Sequence, residues 1–335
     1  MKEALFYEKM KDKSVNCNLC HQHCNIKEGK YGLCLARVNN NGILYSEVYG
    51  KISSTNVDPI EKKPLYHFYP GSLAFSIGTC GCNFKCKFCQ NSEISQIKTS
   101  SCKNIISMTP EEAVEGALSY GCKSIAYTYN EPTVNYEFCL ETAKLAKKKK
   151  LKNVFVTNGY IEKKPLKEIS KYLDAANIDL KSSSRKFYNE VCGADLDKAL
   201  ETIKEYKKLG IYIELTTMIV PEENDSKKDI TGVCKWVIDN LGLETPMHFS
   251  RFYPCHLMKD KPITPLKSVE KAVRIARELG IKYVYGGNVS GTDLNDTFCP
   301  KCKSLIIKRT GYEISIKNLK KGYCGKCGEK LLLYY

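Results

Sequence analysis

No apolar run in this chain of 335 residues approaches the roughly 20 residues that a membrane-crossing helix needs. No helical membrane span is therefore expected. The opening stretch, MKEALFYEKMKDK, is too charged for a secretory signal peptide, and a cytoplasmic address is the expectation. Internal repeats and long low-complexity segments are missing too, which sets aside solenoids and disordered arrays. Acidic residues are scarce relative to basic ones, 37 against 52, for a formal net charge of +15. One reading is an acidic partner such as tRNA, drawn in by long-range attraction. The preferred one is a lysine-rich surface, as at residues 144–150, offset in part by anionic cofactors and metal-bound thiolates.

Cysteine, by contrast, is abundant: 18 residues. Twelve fall in three tight sets, 17/20/24/34, 80/82/86/89 and 299/302/324/327. A disulfide framework suits small secreted domains, not a signal-less chain of this length, so metal binding is the better account. The remaining six, Cys102, Cys122, Cys139, Cys192, Cys234 and Cys255, read as small buried hydrophobes. A hydrophobic fraction of 43% is enough for one large core with small appendages.

The pattern divides the chain into a Cys-rich start and connector over 1–72, a strand–helix alternation over 73–292 and a basic Cys-rich tail over 293–335. A hairpin is expected over 37–48, around the turn sequence Asn39-Asn40-Asn41-Gly42. Strands read at 73–77, 124–129, 153–157, 176–180, 212–219 and 248–252, with a seventh candidate at 283–285. Helical patterns lie near 110–120, 134–149, 165–173, 196–208, 227–240 and 267–279. Thr109-Pro110-Glu111-Glu112 has the cap, the early proline and the acids of a helix start. Such alternation implies right-handed βαβ units and a parallel sheet curling into a partial (β/α)6 barrel of the TIM-like kind. Chemistry in these folds gathers at the C-terminal ends of the strands.

Directly after the first of these strands comes Cys82-x3-Cys86-x2-Cys89. A [4Fe–4S] cube ordinarily takes four thiolates. A compact run of three leaves one iron to chelate a small molecule; a zinc site, or an electron-transfer cluster with a fourth ligand elsewhere, is the competing reading, and Cys80 is available as that ligand. The motif resembles that of the radical S-adenosylmethionine (SAM) superfamily, and the similarity continues. Tyr129-Asn130-Glu131-Pro132 resembles the segment that holds the SAM amino group. Thr157-Asn158-Gly159, Asp179-x-Lys181, Val220-Pro221 and the Pro254/His256 segment are similar to parts of pyruvate formate-lyase activating enzymes.

Over nearly its full length the chain resembles the AmmeMemoRadiSam-system radical SAM proteins. Cys17-x2-Cys20-x3-Cys24 with Cys34, Asn56 to Pro64, Gly78 to Asn91, His248 to Pro254 and Tyr283 to Val289 carry that likeness. It implies an oxidoreductase that cleaves SAM reductively to a 5′-deoxyadenosyl radical, with a reducing donor such as ferredoxin or flavodoxin. It also implies Memo-like and AMMECR1-like partners. Two departures stand out. Val156 replaces an aspartate of the activating enzymes, removing a carboxylate from a cation site. Asn130 replaces the second glycine of the amino-binding segment.

The resemblance implies SAM contacts at Glu131 (ammonium), Lys181 (carboxylate), Asp179 (ribose, or holding Lys181), Thr157, Asn158, Thr217 and His256, with Arg251 and Tyr253 toward substrate. Each has a plainer alternative as a cap, an exposed charge or turn chemistry. Cys299, Cys302, Cys324 and Cys327 form two Cys-x2-Cys knuckles, the zinc-ribbon arrangement of a closed structural site. Cys17, Cys20, Cys24 and Cys34 suit either zinc, taken as the first reading, or an Fe–S cluster. Activation of a glycyl-radical enzyme is the alternative function, and a non-catalytic Fe–S electron carrier or RNA-binding protein is the alternative of a different class.

Overall fold

The computed structural model describes residues 1–335. Its main sheet has eight strands: β1 (Ser54–Pro59), β2 (Leu73–Gly78), β3 (Ser124–Tyr127), β4 (Lys152–Thr157), β5 (Ala175–Asp179), β6 (Tyr212–Ile219), β7 (Met247–Arg251) and β8 (Val284–Gly287). They lie in chain order. β2 to β8 are parallel, and β1 pairs antiparallel along the β2 edge. β8 and β1 do not pair, so the barrel is open. The seventh candidate strand is thus present, whereas β1 falls in a stretch read from sequence as a connector.

Six helices alternate with the parallel strands: α1 (Pro110–Ser119), α2 (Tyr136–Lys148), α3 (Lys163–Ile169), α4 (Leu196–Lys208), α5 (Lys227–Leu241) and α6 (Leu266–Glu278). The first starts on the expected signal. Thr109 Oγ1 accepts from the Glu112 amide at 3.2 Å and Glu112 accepts from the Thr109 amide at 2.7 Å, a capping box with Pro110 in the first turn. Helices on the outside bury one face of every strand and packed side chains bury the other. This is why β3 and β6 read as nearly continuous buried runs rather than alternating ones.

The N-terminal ends of the strands are plugged from outside. Ala74, Ala126, Val154 and Ala175 leave room inside the barrel, and Leu65 and Phe68 from the segment before β2 fill it. The same segment is tied down by Glu214 of β6, which is fully buried. Its carboxylate accepts from the amides of Tyr66 (3.0 Å) and His67 (2.8 Å), from Tyr212 Oη (3.1 Å) and from His248 Nε2 (2.7 Å). Arg309 from the tail reaches the Tyr66 carbonyl at 2.8 Å, and the Tyr334 amide reaches the His67 carbonyl at 2.8 Å.

The flanking regions are small and β-rich. The expected hairpin forms from Arg37–Asn40 and Ile43–Ser46, with Asn41 and Gly42 in left-handed conformation. It is joined to the barrel by a buried ion pair between Arg37 and Glu137 of α2. In the tail, Leu305–Thr310 and Glu313–Ile316 pair between the two cysteine knuckles.

His67 hydrogen-bonds the Leu332 carbonyl and Tyr285 Oη, and burial pushes its pKa from 6.5 down to about 4. The folded imidazole therefore stays neutral where the unfolded one takes a proton. Stability should fall as pH drops from about 6.5 to 4, by about 3 kcal/mol for this group at full titration. Thermal unfolding across that range should show a shallower decline for His67→Phe than for the wild type.

Candidate active site

The loop holding Cys82, Cys86 and Cys89 leaves the C-terminal end of β2, and its path is set by contacts on three sides. From the bend after β3, Asn130 Oδ1 accepts from the Thr79 amide (3.1 Å) and Asn130 Nδ2 donates to the Gly81 carbonyl (2.8 Å). Asn91, at the far end of the loop, donates to the Tyr129 carbonyl at 2.6 Å. The residue that departs from the glycine of similar segments is thus a clamp. From the turn Tyr188–Cys192, the carbonyls of Cys192 and Val191 accept from the amides of Lys85 (2.8 Å) and Lys87 (2.9 Å). From the N-terminal region, the Cys34 carbonyl accepts from the Cys82 amide at 3.1 Å. That approach requires Gly81: its φ is +89°, and a Cβ there would lie 2.3 Å from the Cys34 oxygen.

Each thiol of the loop has a donor or cation beside it. The Phe84 amide points at Cys82 Sγ (3.4 Å), as does Asn158 Nδ2 (3.8 Å), and Ser95 Oγ lies 3.0 Å from Cys89 Sγ. The neighbouring Cys192 thiol and the Lys181 ammonium pull Cys86 below the ordinary thiol range against the effect of burial. Cys192, read from sequence as a plain buried residue, is therefore part of the site. Donors of this kind suit sulfurs that carry charge, as metal-bound thiolates do. Cys80 is not among them: it forms a disulfide with Cys102, which likewise departs from the expectation of a lone buried cysteine. Phe88 packs on Phe187, with ring centroids 5.7 Å apart.

The next strand ends converge on this loop. Glu131, after β3, is buried and accepts four hydrogen bonds. Thr133 N (3.0 Å), Thr133 Oγ1 (2.6 Å) and Thr157 Oγ1 (2.8 Å) donate to Oε1, and Asn158 N (2.8 Å) donates to Oε2. Burial nevertheless pushes its pKa up. Asn158 continues the chain of contacts by donating to Asn83 Oδ1 at 2.8 Å. Thr157 and Asn158 thus carry Glu131 to the cluster loop, and Glu131 is a tie between strand ends as well as a charge.

At the end of β5, Lys181 Nζ sits 2.9 Å from Asp179 Oδ2 and 5.5 Å from the Phe88 ring centre. Burial opposes its charge, but Asp179 and the thiols of Cys86 and Cys192 hold its pKa well above the usual value. Thr217 Oγ1 donates to the Leu180 carbonyl at 2.7 Å, so its proton is used within the sheet. His256, left-handed at φ +49°, lies between two residues that touch the loop: Cys255 Sγ meets the Phe88 carbonyl (3.3 Å) and the Leu257 amide meets the Lys87 carbonyl (3.0 Å). Arg251 donates to the Thr264 carbonyl at 2.6 Å and stacks over Tyr253, which is largely exposed.

A three-thiol loop thus stands at the first parallel strand, with acid, amide and lysine supplied in order by the strand ends that follow. The radical SAM superfamily profile matches residues 76–232. The chain belongs to the radical SAM superfamily. It is 49% identical over 333 residues to the uncharacterised protein MJ0808 of Methanocaldococcus jannaschii, covering 99% of both chains. It is 27% identical over 234 residues to MJ1632 of the same organism, which bears the name of a glycyl-radical enzyme activating enzyme, with 68% of this chain and 84% of that one covered. Among solved structures, a radical SAM methyltransferase from Sphaerobacter thermophilus has a TM-score of 0.51 at 13% identity, covering 65% of this chain and 67% of that one. SuiB of Streptococcus suis bound to S-adenosylmethionine gives 0.51 at 14%, covering 65% and 52%. At these identities the two structures show the fold alone. The superfamily is one of enzymes that use SAM and a [4Fe–4S] cluster.

The outer cysteine sets differ in spacing. The sulfurs of Cys299, Cys302, Cys324 and Cys327 all lie within 4.8 Å of one another, with two pairs at 3.6 Å. Cys17, Cys20, Cys24 and Cys34 line a common cavity. His21 and His23 turn away from that cavity to Glu162, at 2.5 and 2.9 Å.

Replacing the Glu131 carboxylate by an amide puts an N–H₂ against hydrogen-bond donors. Glu131→Gln should cost about 1–3 kcal/mol of stability. A lowered Tm of the cluster-loaded protein, measured anaerobically, is the expected outcome.

Proposed function

We propose that Cys82, Cys86 and Cys89 hold the [4Fe–4S] cluster of this radical SAM enzyme on three of its irons. The observation that carries this reading is the loop itself: three thiols, donors beside Cys82 and Cys89 and the Lys181 cation near Cys86, with the neighbouring Cys80 committed to a disulfide. Held by these three thiolates, such a cluster would supply the electron for reductive cleavage of SAM to methionine and a 5′-deoxyadenosyl radical able to abstract hydrogen from substrate.

The chain's own residues then have the following roles. Lys181, cationic and steered by Asp179, receives the SAM carboxylate, while Asp179 is also in reach for the ribose. Glu131 and the backbone of its segment receive the ammonium; Oε2, with one donor against three on Oε1, has the free lone pair. Thr157, Asn158 and Thr217 line the pocket, His256 borders it from the loop after β7, and Arg251 and Tyr253 face substrate. Tight packing of Phe84 and Phe88 keeps water from the radical.

The tail set is best filled by zinc. A tetrahedral ion about 2.3 Å from each thiolate spaces the sulfurs about 3.8 Å apart, close to the 3.6 Å of the two pairs. The division into residues 1–72, 73–292 and 293–335, the ferredoxin- or flavodoxin-like donor and the Memo-like and AMMECR1-like partners remain part of this proposal on the strength of the family resemblance. Activation of a glycyl-radical enzyme is the second reading, favoured by the name of MJ1632 and opposed by Val156.

Anaerobically reconstituted protein given SAM and dithionite should release 5′-deoxyadenosine, and Cys86→Ala should release none. Cys80→Ala, Cys192→Ala and Cys255→Ala should all stay active. Loss of the cluster in one of these three, with activity retained in Cys82→Ala, would reassign the third ligand; loss of the cluster in one of them with Cys82, Cys86 and Cys89 all still required would mean a fourth thiolate and no open iron.

A further inference from the structure

We infer that Cys17, Cys20, Cys24 and Cys34 hold a second [4Fe–4S] cluster, ligated by this chain on all four irons, rather than the zinc that their number first suggests. All four line a single cavity that is partly open to solvent. The two outer sets provide an internal contrast. The tail sulfurs close to zinc spacing, whereas no three of these four sulfurs come within 4.8 Å of one another. Thiolates on one tetrahedral ion must sit about 3.8 Å apart. Thiolates on a cube each take a different iron and stay farther apart.

A second observation concerns a residue of the same cavity. Arg37 lines it and is 1% exposed, and its Nε is a buried donor without a partner. Buried donors of this kind are rare, and a sulfide or thiolate of a cluster is an acceptor for it. The nearby histidines are occupied elsewhere, His21 by Glu162 and Thr202 and His23 by Glu162, so the ligand set is sulfur only.

The location suggests the use. Asn83 and Thr133 line this cavity and also contact Asn158 and Glu131 of the SAM site. The Cys34 carbonyl receives the Cys82 amide directly. A cluster with no vacant iron cannot chelate SAM; its chemistry is one-electron exchange. It takes one electron from a low-potential donor of the ferredoxin or flavodoxin class and passes that electron to the cluster of Cys82, Cys86 and Cys89, returning to its oxidised state. No bond or proton moves. The relay rests on the proposed SAM site; the second cluster does not.

Iron, sulfide and zinc counts on the full-length, anaerobically reconstituted chain test this. The expected content is about eight irons per chain, two cubes, with zinc only at the tail set. Cys17→Ala and Cys24→Ala should each halve the iron while 5′-deoxyadenosine formation with dithionite persists. Should those variants fail to fold, the wild type still decides: in Mössbauer spectra SAM should perturb about one-eighth of the iron signal, against one-quarter for a single cube. About four irons with two zincs per chain would overturn the inference. Eight irons without 5′-deoxyadenosine would instead reject the SAM site and leave the second cluster standing.

Discussion

A carboxylate taken out of water must find donors for its charge, and Glu131 finds four of them on two strand ends. Thr157 and Asn158 hold β4 to β3 through that carboxylate, and Asn158 hands the connection on to Asn83 and the cluster loop. Asn130, next in sequence, grips the same loop at Thr79 and Gly81. The geometry of three thiols therefore depends on one buried charge and its neighbouring amide. Neither residue has to touch a reacting atom to matter. A site held by short hydrogen bonds between rigid strands keeps its ligands positioned before anything binds, which radical chemistry demands.

The strand–helix alternation was legible because parallel strands buried on both faces leave long apolar runs between amphipathic helices. Thr109-Pro110-Glu111-Glu112 announced its helix because capping is a local interaction. β1 escaped notice for the opposite reason. Its sequence, Ser54 to Pro59, is polar and ends in proline, and only pairing along the β2 edge makes it a strand. The motif residues could be picked out, but not what they touch. Nothing local says that Cys80 meets Cys102, that Cys192 meets Cys86, or that Asn130 replaces a glycine in order to clamp a loop. Those are contacts between segments 22 to about 106 residues apart, and spacing along the chain carries no record of them.

Thr217 and Glu131 illustrate how function and structure overlap at such a site. Both lie where a cofactor contact was expected, and both already have hydrogen-bond work within the sheet. The cysteine sets show the complementary lesson. Ligand count alone leaves zinc and iron–sulfur equally acceptable, since both take four thiolates. Distance separates them, and distance is a tertiary property.

The tail segment also seals the barrel from below. Leu332 and Tyr334 meet His67, and Arg309 meets Tyr66, across sequence separations of 265 and 243 residues for His67–Leu332 and Tyr66–Arg309. Contacts this remote cannot form while only the early segment has left the ribosome, because residues 309–334 close a floor that residues 66–67 lay down. Until that later segment emerges, the underside of the barrel stays unsealed. Its docking is therefore a late step in the shaping of the nascent protein.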